Sequence, residues 1–132
     1  MIISNEFSDV LEVWNSLSKN DKDLICTTNF SDSPLVKYRK VLKIDNIPVS
    51  FLELYSLPND NENAYIVIGT NPNYRNLGYT KKLILLAEED NLKMNLFKKF
   101  YWTTTVDNKI SKHLAEKLGY IRINNRKFVK NF

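Results

Sequence analysis

The chain of 132 residues has few of the side chains that build disulfide or metal frameworks. It contains one cysteine, Cys26, and one histidine, His113. A single cysteine excludes an internal disulfide and the multi-cysteine zinc signatures, so we interpret Cys26 as a small core side chain. A zinc site built on His113 would need carboxylate ligands, and the acidic residues show no ligand spacing. The sequence therefore predicts no metal site.

Long hydrophobic runs are also absent from the sequence. No apolar stretch approaches the roughly 20 residues that a helix needs to cross a bilayer. The first six residues lack a basic region followed by a hydrophobic segment, so no signal peptide is evident. We therefore expect a cytoplasmic protein without membrane contact. Its 43% apolar and 26% charged residues are ordinary for a globular domain.

Charge is distributed unevenly along the chain, whose net charge is +4. Residues 1–74 hold six Lys or Arg against ten Asp or Glu, and residues 75–132 hold thirteen against five. The basic second part suits an anionic ligand and the acidic first part a cationic one, with solvated lysines as the plain alternative. Nucleic acid is not the expected partner, because the lysines form no dense run and no recognised binding motif.

Hydrophobic periodicity and turn residues predict helices and strands within one domain, residues 1–132. Apolar residues at helical spacing predict helices at 7–17, 21–26, 78–95 and 108–118. Alternating or β-branched runs predict strands at 38–44, 47–55, 64–70, 97–106, 120–123 and 127–132. No repeat, low-complexity tract or linker divides the chain.

Polar residues and glycine mark the ends of these elements. The predicted turns are Asp45-Asn46, residues 58–63 and Asn124-Asn125, and the predicted helix caps are Ser4 or Asn5, Asp107 or Asn108, and Gly119. The predicted buried faces of the last two helices carry Leu83, Ile84, Leu86, Ala87 and Leu92, and Ile110, Leu114, Ala115 and Leu118.

The most informative segment joins the strand at 64–70 to the helix that follows. Its sequence after the strand is Asn71-Pro72-Asn73-Tyr74-Arg75-Asn76-Leu77-Gly78-Tyr79-Thr80. Free N–H groups at the helix start, together with the positive end of the helix dipole, make an anion site. Gly78 has no Cβ, so the backbone can approach a ligand closely and adopt a positive φ. The segment predicts a phosphorylated ligand.

Two segments resemble the GNAT superfamily of acyl-CoA N-acyltransferases. That family's strand, proline and Arg/Gln-x-x-Gly-x-Gly/Ala pattern is similar to Ile68 through Thr80. Its Asn-x-x-Ala-x-x-Leu-Tyr-Glu-Lys-Leu-Gly-Phe segment is similar to Asn108 through Tyr120. With the hairpin at 47–54, the resemblance covers about residues 40–123. It implies an α+β fold of three layers (α/β/α), with a mixed, mostly antiparallel sheet and helices on both faces.

The resemblance also implies that acetyl-CoA is the co-substrate. The main chain of Ile68 and Thr70 would then pair with the pantetheine arm as an added strand does. Asn108 would either bond that arm or only cap its helix. The diphosphate would be held by backbone N–H groups of Arg75, Asn76, Leu77, Gly78, Tyr79 and Thr80. Thr80 replaces the usual Gly or Ala, and its hydroxyl would either donate to a phosphate or crowd it.

Alanine stands at both positions where the family usually keeps its proton-transferring residues, Ala64 on the strand and Ala115 on the last helix. Substitute candidates are Tyr65, Tyr120 and Glu53, although Tyr120 also suits a core position. One hypothesis is an N-acetyltransferase that moves acetyl to a primary amine by direct aminolysis, without the usual tyrosine acid. The other is a catalytically degenerate domain that binds coenzyme A as a regulatory or protein-interaction module.

The acceptor is not specified by the sequence. It would be an amine of a small molecule, a protein or a peptide, and the acidic first part of the chain favours a cationic amine. Homodimers are frequent in the family, and the oligomeric state stays open.

Overall fold

The computed structural model describes residues 1–25, 30–104 and 109–132, which hold seven strands, four helices and one 3₁₀ turn. The strands are β1 Ile2–Ser4, β2 Val36–Ile44, β3 Ile47–Leu57, β4 Asp60–Thr70, β5 Lys99–Thr103, β6 Ile121–Asn124 and β7 Lys127–Asn131. The helices are α1 Phe7–Ser16, α2 Lys19–Ile25, α3 Tyr79–Met94 and α4 Lys109–Lys117. Cys26, Asp107 and Asn108 lie outside the described residues, so the roles assigned to them stay predictions.

The strands form one sheet in the order β1-β2-β3-β4-β5-β7-β6. All neighbouring strands are antiparallel except β4 and β5, which are parallel. The connection between β4 and β5 contains α3, as a parallel pair requires a long crossover. The predicted α+β fold with a mixed, mostly antiparallel sheet is confirmed.

Helices pack on both faces of the sheet. On one face, Val10 and Val13 of α1 cluster with Val41 and Phe51. On the other face, α3 and α4 share a larger core with the sheet, whose members include Leu42, Leu52, Leu54, Leu83, Ile84, Ala87, Phe100, Trp102, Ala115 and Phe128. None of the described helices has the length and apolar character needed to span a membrane.

The β2–β3 hairpin follows the predicted turn. Asp45 and Asn46 have φ values of 48° and 67°. Two successive positive φ angles are the geometry of a type I′ turn, which matches the twist of the flanking strands. Gly78 and Asn95 flank α3 in left-handed conformations, close to the predicted ends of that helix.

Several predicted boundaries are wrong. Residues 58–63 do not form one turn, because Leu57 pairs with Asp60 and β4 begins there. Polar residues can join the strand at this point, since its ladder uses only backbone groups. The terminal hairpin turns at 125–126, one residue later than predicted. Strand β5 is shorter than the predicted 97–106 strand. Glu6 precedes α1, in place of the predicted cap Ser4 or Asn5. The Ser4 hydroxyl instead accepts from the Glu6 N–H and donates to the Asp9 carboxylate.

Two predicted core residues are exposed, Leu92 of α3 and Ile110 of α4. In α3, polar Asn91 takes a buried position, where its amide exchanges hydrogen bonds with the N–H and C=O of Phe97. Glu88 also occupies a buried position of α3, where its carboxylate accepts hydrogen bonds from Tyr120 and Lys130. A periodicity based only on apolar residues cannot identify polar groups whose partners are distant in sequence.

Candidate functional site

A cleft opens where the parallel pairing of β4 and β5 ends. These strands pair only at Asn63↔Lys99, Ala64↔Phe100 and Tyr65↔Tyr101. Beyond this point lies a cavity of about 1050 Å³, lined by parts of β4, β5, α2, α4 and the start of α3. A cavity of this size accommodates an extended ligand.

The far end of β4 presents backbone polar groups to this cleft. The N–H of Asn71 donates to Val49 O of the β3 strand, 2.8 Å away. Because successive residues of a strand point their backbone groups to opposite edges, those of Thr70 and Ile68 point away from β3 and into the cleft. Among the described residues, no strand pairs with this edge beyond Tyr65, and such an edge can accept an added strand. Ile68 and Thr70, which were predicted to pair with a pantetheine arm, thus lie on the strand edge that faces the cleft.

The loop between β4 and α3 is folded by its own polar side chains. Pro72–Tyr74 forms a single 3₁₀ turn, which the Asn71 side chain caps by accepting from Asn73 N–H at 3.0 Å. Asn76 then has φ 63° and Gly78 φ 82°. A Cβ at position 78 would meet no atom within 4 Å, so glycine is favoured there by its backbone conformation.

The start of α3 presents backbone N–H groups that have no intrahelical acceptor. The N–H of Lys82 bonds to Gly78 O at 3.0 Å, which leaves the N–H groups of Tyr79, Thr80 and Lys81 without an intrahelical acceptor. The first turn of α3 contains no acidic residue. The positive end of the helix dipole is therefore not neutralised by its own side chains, and the site suits a phosphate or diphosphate.

Three hydroxyl groups connect this helix start to the sheet. The Thr80 hydroxyl lies 2.9 Å from that of Thr70, which lies 2.7 Å from that of Ser50. Ser50 donates to Gly69 O at 3.2 Å. Either hydroxyl of each pair can be the donor. The Thr80 side chain thus contacts the strand, and its two expected roles, donation to a phosphate and crowding of it, stay predictions.

The side chain of Arg75 connects the loop to α2. Its guanidinium lies 2.8 Å from the Asp21 carboxylate and 3.4 Å from Thr70 O. The hydrogen bond from Arg75 holds the pKa of Asp21 below its ordinary value. Both residues line the cleft, so this ion pair lies at its border.

Comparison with known proteins identifies the family. The model of the Acetyltransferase (GNAT) family matches residues 4–120 of the sequence. This chain belongs to the GNAT family of acetyltransferases. No curated protein sequence matches the chain.

Solved GNAT structures share its fold. A GNAT-family acetyltransferase from Bacillus anthracis is 17% identical, with a TM-score of 0.76 over 98% of this chain and 93% of that one. The ribosomal-protein-S18-alanine N-acetyltransferase from Escherichia coli is 14% identical, with a TM-score of 0.68 over 97% and 88%.

A third similar structure contains a ligand. The PaiA N-acetyltransferase from Thermoplasma acidophilum, in complex with coenzyme A, is 18% identical, with a TM-score of 0.59 over 71% of this chain. This chain spans about 60% of the length of that protein. At such identities the likeness concerns the fold.

Ala64 and Ala115, which the sequence resemblance aligned with proton-transferring positions, are fully buried. Ala64 lies on β4 beside Phe100, and Ala115 packs in the larger core. Ser111 and Leu114, on the same helix as Ala115, line the cleft.

Among the described residues, no group of three or more His, Cys, Asp or Glu side chains could hold a metal ion.

Two of the candidate catalytic residues lie outside the cleft. The hydroxyl of Tyr120 donates to the Glu88 carboxylate at 2.7 Å, and burial raises the pKa of this phenol. Glu53 is buried on β3, where it accepts from Arg39 Nε at 2.7 Å. Burial raises the pKa of Glu53, and the guanidinium of Arg39 opposes that shift. Both side chains have structural partners that occupy their polar atoms.

The third candidate, Tyr65, lies beside the cleft, whose lining includes its chain neighbour Ile66 and its strand partner Tyr55. Its ring stacks between those of Tyr55 and Tyr101, with centroids 5.4 and 5.1 Å away. Its hydroxyl accepts from Nζ of Lys127 at 3.4 Å. Lys127 lies 62 residues away from Tyr65 along the chain and was not predicted as its partner. The alternation of the last strand was the only sequence signal that could have placed Lys127 on the same face of the sheet as Tyr65.

Proposed function

We propose that this protein is an acyl-CoA-dependent N-acyltransferase that moves an acetyl group from acetyl-CoA to a primary amine. One observation carries the proposal: the unpaired edge of β4 and the free N–H groups at the start of α3 meet at a single cleft. A coenzyme A molecule needs both features, since its pantetheine amides pair like a strand and its diphosphate is an anion.

The residues present fit such a ligand. The main chain of Ile68 and Thr70 would pair with the pantetheine arm, with Asn108 as a further donor. The diphosphate would be held by backbone N–H groups of Arg75, Asn76, Leu77, Gly78, Tyr79 and Thr80. Ser50, through Thr70 and Thr80, would keep the helix start in place for this contact.

In the proposed reaction, the neutral amine attacks the thioester carbonyl directly. The new C–N bond forms, the C–S bond breaks, and coenzyme A leaves as a thiolate that takes up a proton. Holding the two reactants in place contributes roughly 7–11 kcal/mol to such a step. A positioned acid adds only about 10²–10⁴-fold, and a thiol with a pKa near 8.5 is an easy leaving group. Transfer without the usual tyrosine is therefore feasible, with Tyr65 as the candidate proton carrier.

A second function is favoured by the buried alanines. Ala64 and Ala115 have no proton to transfer. The chain would then bind coenzyme A as a regulatory or protein-interaction module, with no turnover. The location in the cytoplasm and a homodimeric state stay predictions.

Two measurements separate these functions. Thiol release from acetyl-CoA is followed with a broad panel of primary amines, and coenzyme A binding is followed by calorimetry. Release above the rate without amine supports the transferase. Binding without release from any amine supports the module, and absence of binding contradicts both.

A matched pair of variants tests the placement of the diphosphate. Gly78→Asp and Gly78→Asn introduce side chains of the same shape, and both residue types tolerate a positive φ better than most. Only Asp adds a negative charge, so we expect it to weaken coenzyme A binding at least tenfold more than Asn does, on the order of 1.4 kcal/mol. Equal affinities of the two variants would contradict the placement.

A further inference from the structure

A row of apolar and aromatic side chains crosses the sheet beside the cleft. Register pairs Tyr55 with Tyr65, Tyr65 with Tyr101, and Tyr101 with Val129. Because side chains two residues apart share a face, Tyr65 lies on the same face as Val67, the face that α1 covers elsewhere. Tyr55 itself lines the cleft. The row is therefore placed to contact an acceptor that approaches the cleft from this face.

A lysine that has no acidic partner among the described residues lies on this row. Nζ of Lys127 is 4.3 Å from the ring centroid of Tyr101 and 5.3 Å from that of Tyr65. Lys127 is half-buried. In the described part of the chain, no carboxylate oxygen lies within 4.0 Å of its ammonium group. A cation that is partly removed from water and lacks a carboxylate is suited to bind an anionic ligand.

Several acidic residues of the first half form ion pairs. Asp9 contacts Lys43, Asp21 contacts Arg75, and Asp32 and Glu53 both contact Arg39. These carboxylates are neutralised by their partners, although the net charge of the first half counts them. The expectation of a cationic amine, drawn from that net charge, stays a prediction, and Lys127 is a separate basis for describing the acceptor.

We infer that the acceptor is a primary amine that also carries a carboxylate and an aromatic or apolar side chain. The carboxylate would pair with Lys127, and the side chain would lie on Tyr65 and Tyr101. Free amino acids and short peptides have this chemistry. The inference rests on the proposed function and uses its bond changes: the acceptor nitrogen gains the acetyl group, loses a proton to solvent, and coenzyme A is released.

Matched acceptors test the carboxylate. L-phenylalanine and phenethylamine differ only in that group, as do L-tyrosine and tyramine. We expect the wild-type protein to show a kcat/KM at least roughly tenfold higher for each amino acid, because a charge-assisted contact to Lys127 is made only by the carboxylate. In Lys127→Met this preference should be lost, so that the ratio of the two kcat/KM values falls to about one, whatever the change in the absolute rates.

Two further variants isolate the charge. Lys127→Arg keeps the cation and should keep most of the preference. Lys93→Met removes a lysine that is exposed on α3 and paired with Glu89, and should leave the preference unchanged. Thermal melts of all variants show whether they are folded. The ratio between acceptors within each variant removes any common effect of stability on rate.

The outcomes separate this inference from the function on which it rests. Equal wild-type turnover of the amino acids and their amines would overturn the carboxylate inference and leave the transferase in place. An unchanged preference in Lys127→Met would do the same. Absence of thiol release with every amine, despite coenzyme A binding, would overturn the transferase and the acceptor inference together.

Discussion

The hydroxyl of Thr80, in the first turn of α3, lies 2.9 Å from the hydroxyl of Thr70, the last residue of β4. This contact joins the two parts of the proposed coenzyme A site, the strand edge and the helix start. Ser50 extends this contact into the sheet, because its hydroxyl lies 2.7 Å from that of Thr70 and 3.2 Å from Gly69 O. The helix start is thus attached to the sheet before any ligand arrives.

We predict that Thr80→Val weakens coenzyme A binding about 3- to 10-fold. Valine keeps the branched shape but cannot donate to Thr70, and a neutral hydrogen bond contributes about 0.5–1.5 kcal/mol. Calorimetry measures the affinity, and a thermal melt measures the accompanying loss of stability.

Thr80→Ala is the informative companion, since alanine is a usual residue of the family at this position. If the hydroxyl anchors the helix, both variants bind more weakly than the wild type. Tighter binding by Thr80→Ala alone would show that the threonine crowds the ligand and would contradict the anchoring role.

The fold and the phosphate loop were predictable because their signals are local. The turn at Asp45 and Asn46 and the left-handed Gly78 follow from backbone preferences of single residues. Contacts between distant residues were not predictable. The partners of Glu88 and Tyr65, namely Lys130 and Lys127, come from the last strand and meet them only in the folded sheet. Sequence periodicity indicates which face a residue occupies, and it does not indicate which residue lies opposite.

The ion pair between Asp21 and Arg75 predicts a dependence of stability on pH. Arg75 holds the pKa of Asp21 below its ordinary value of 3.8. A lowered pKa stabilises the folded state above the unfolded-state pKa, and this contribution is lost as pH falls through the folded-state value. We therefore expect Asp21→Asn to lower the free energy of unfolding at pH 7 by less than about 1 kcal/mol, because the pair is partly exposed.

The difference between Asp21→Asn and the wild type should be the same at pH 7 and pH 5, and should shrink below about pH 4. Urea unfolding at each pH measures it. Asp23→Asn, on the same helix at an exposed position, is the control. A difference that persists unchanged at the lowest pH would contradict the ion pair as its cause.

For Tyr120 we predict a role in stability and none in transfer. Its hydroxyl donates to buried Glu88, and hydrogen bonds to charged groups contribute about 1.5–3 kcal/mol. Tyr120→Phe should therefore lower the free energy of unfolding by roughly this amount. Lys130 still donates to the Glu88 carboxylate in this variant, which reduces the loss. Chemical denaturation measures the loss. The rate of thiol release at saturating substrates should stay within about twofold, and a drop near 10²-fold would instead indicate a proton-transferring role.

The last prediction concerns Ala115, which the sequence resemblance aligns with a tyrosine acid. This alanine is fully buried among the core residues between α4 and the sheet. A phenol ring added there overpacks the core, which costs typically about 1–3 kcal/mol. We expect Ala115→Tyr to lower the melting temperature without raising turnover, while Ala115→Ser, which adds a single oxygen, should be tolerated better. A rise in turnover near 10²-fold with an unchanged melting temperature would contradict this, because it would mean that the ring reaches the cleft and supplies the proton that the wild type lacks.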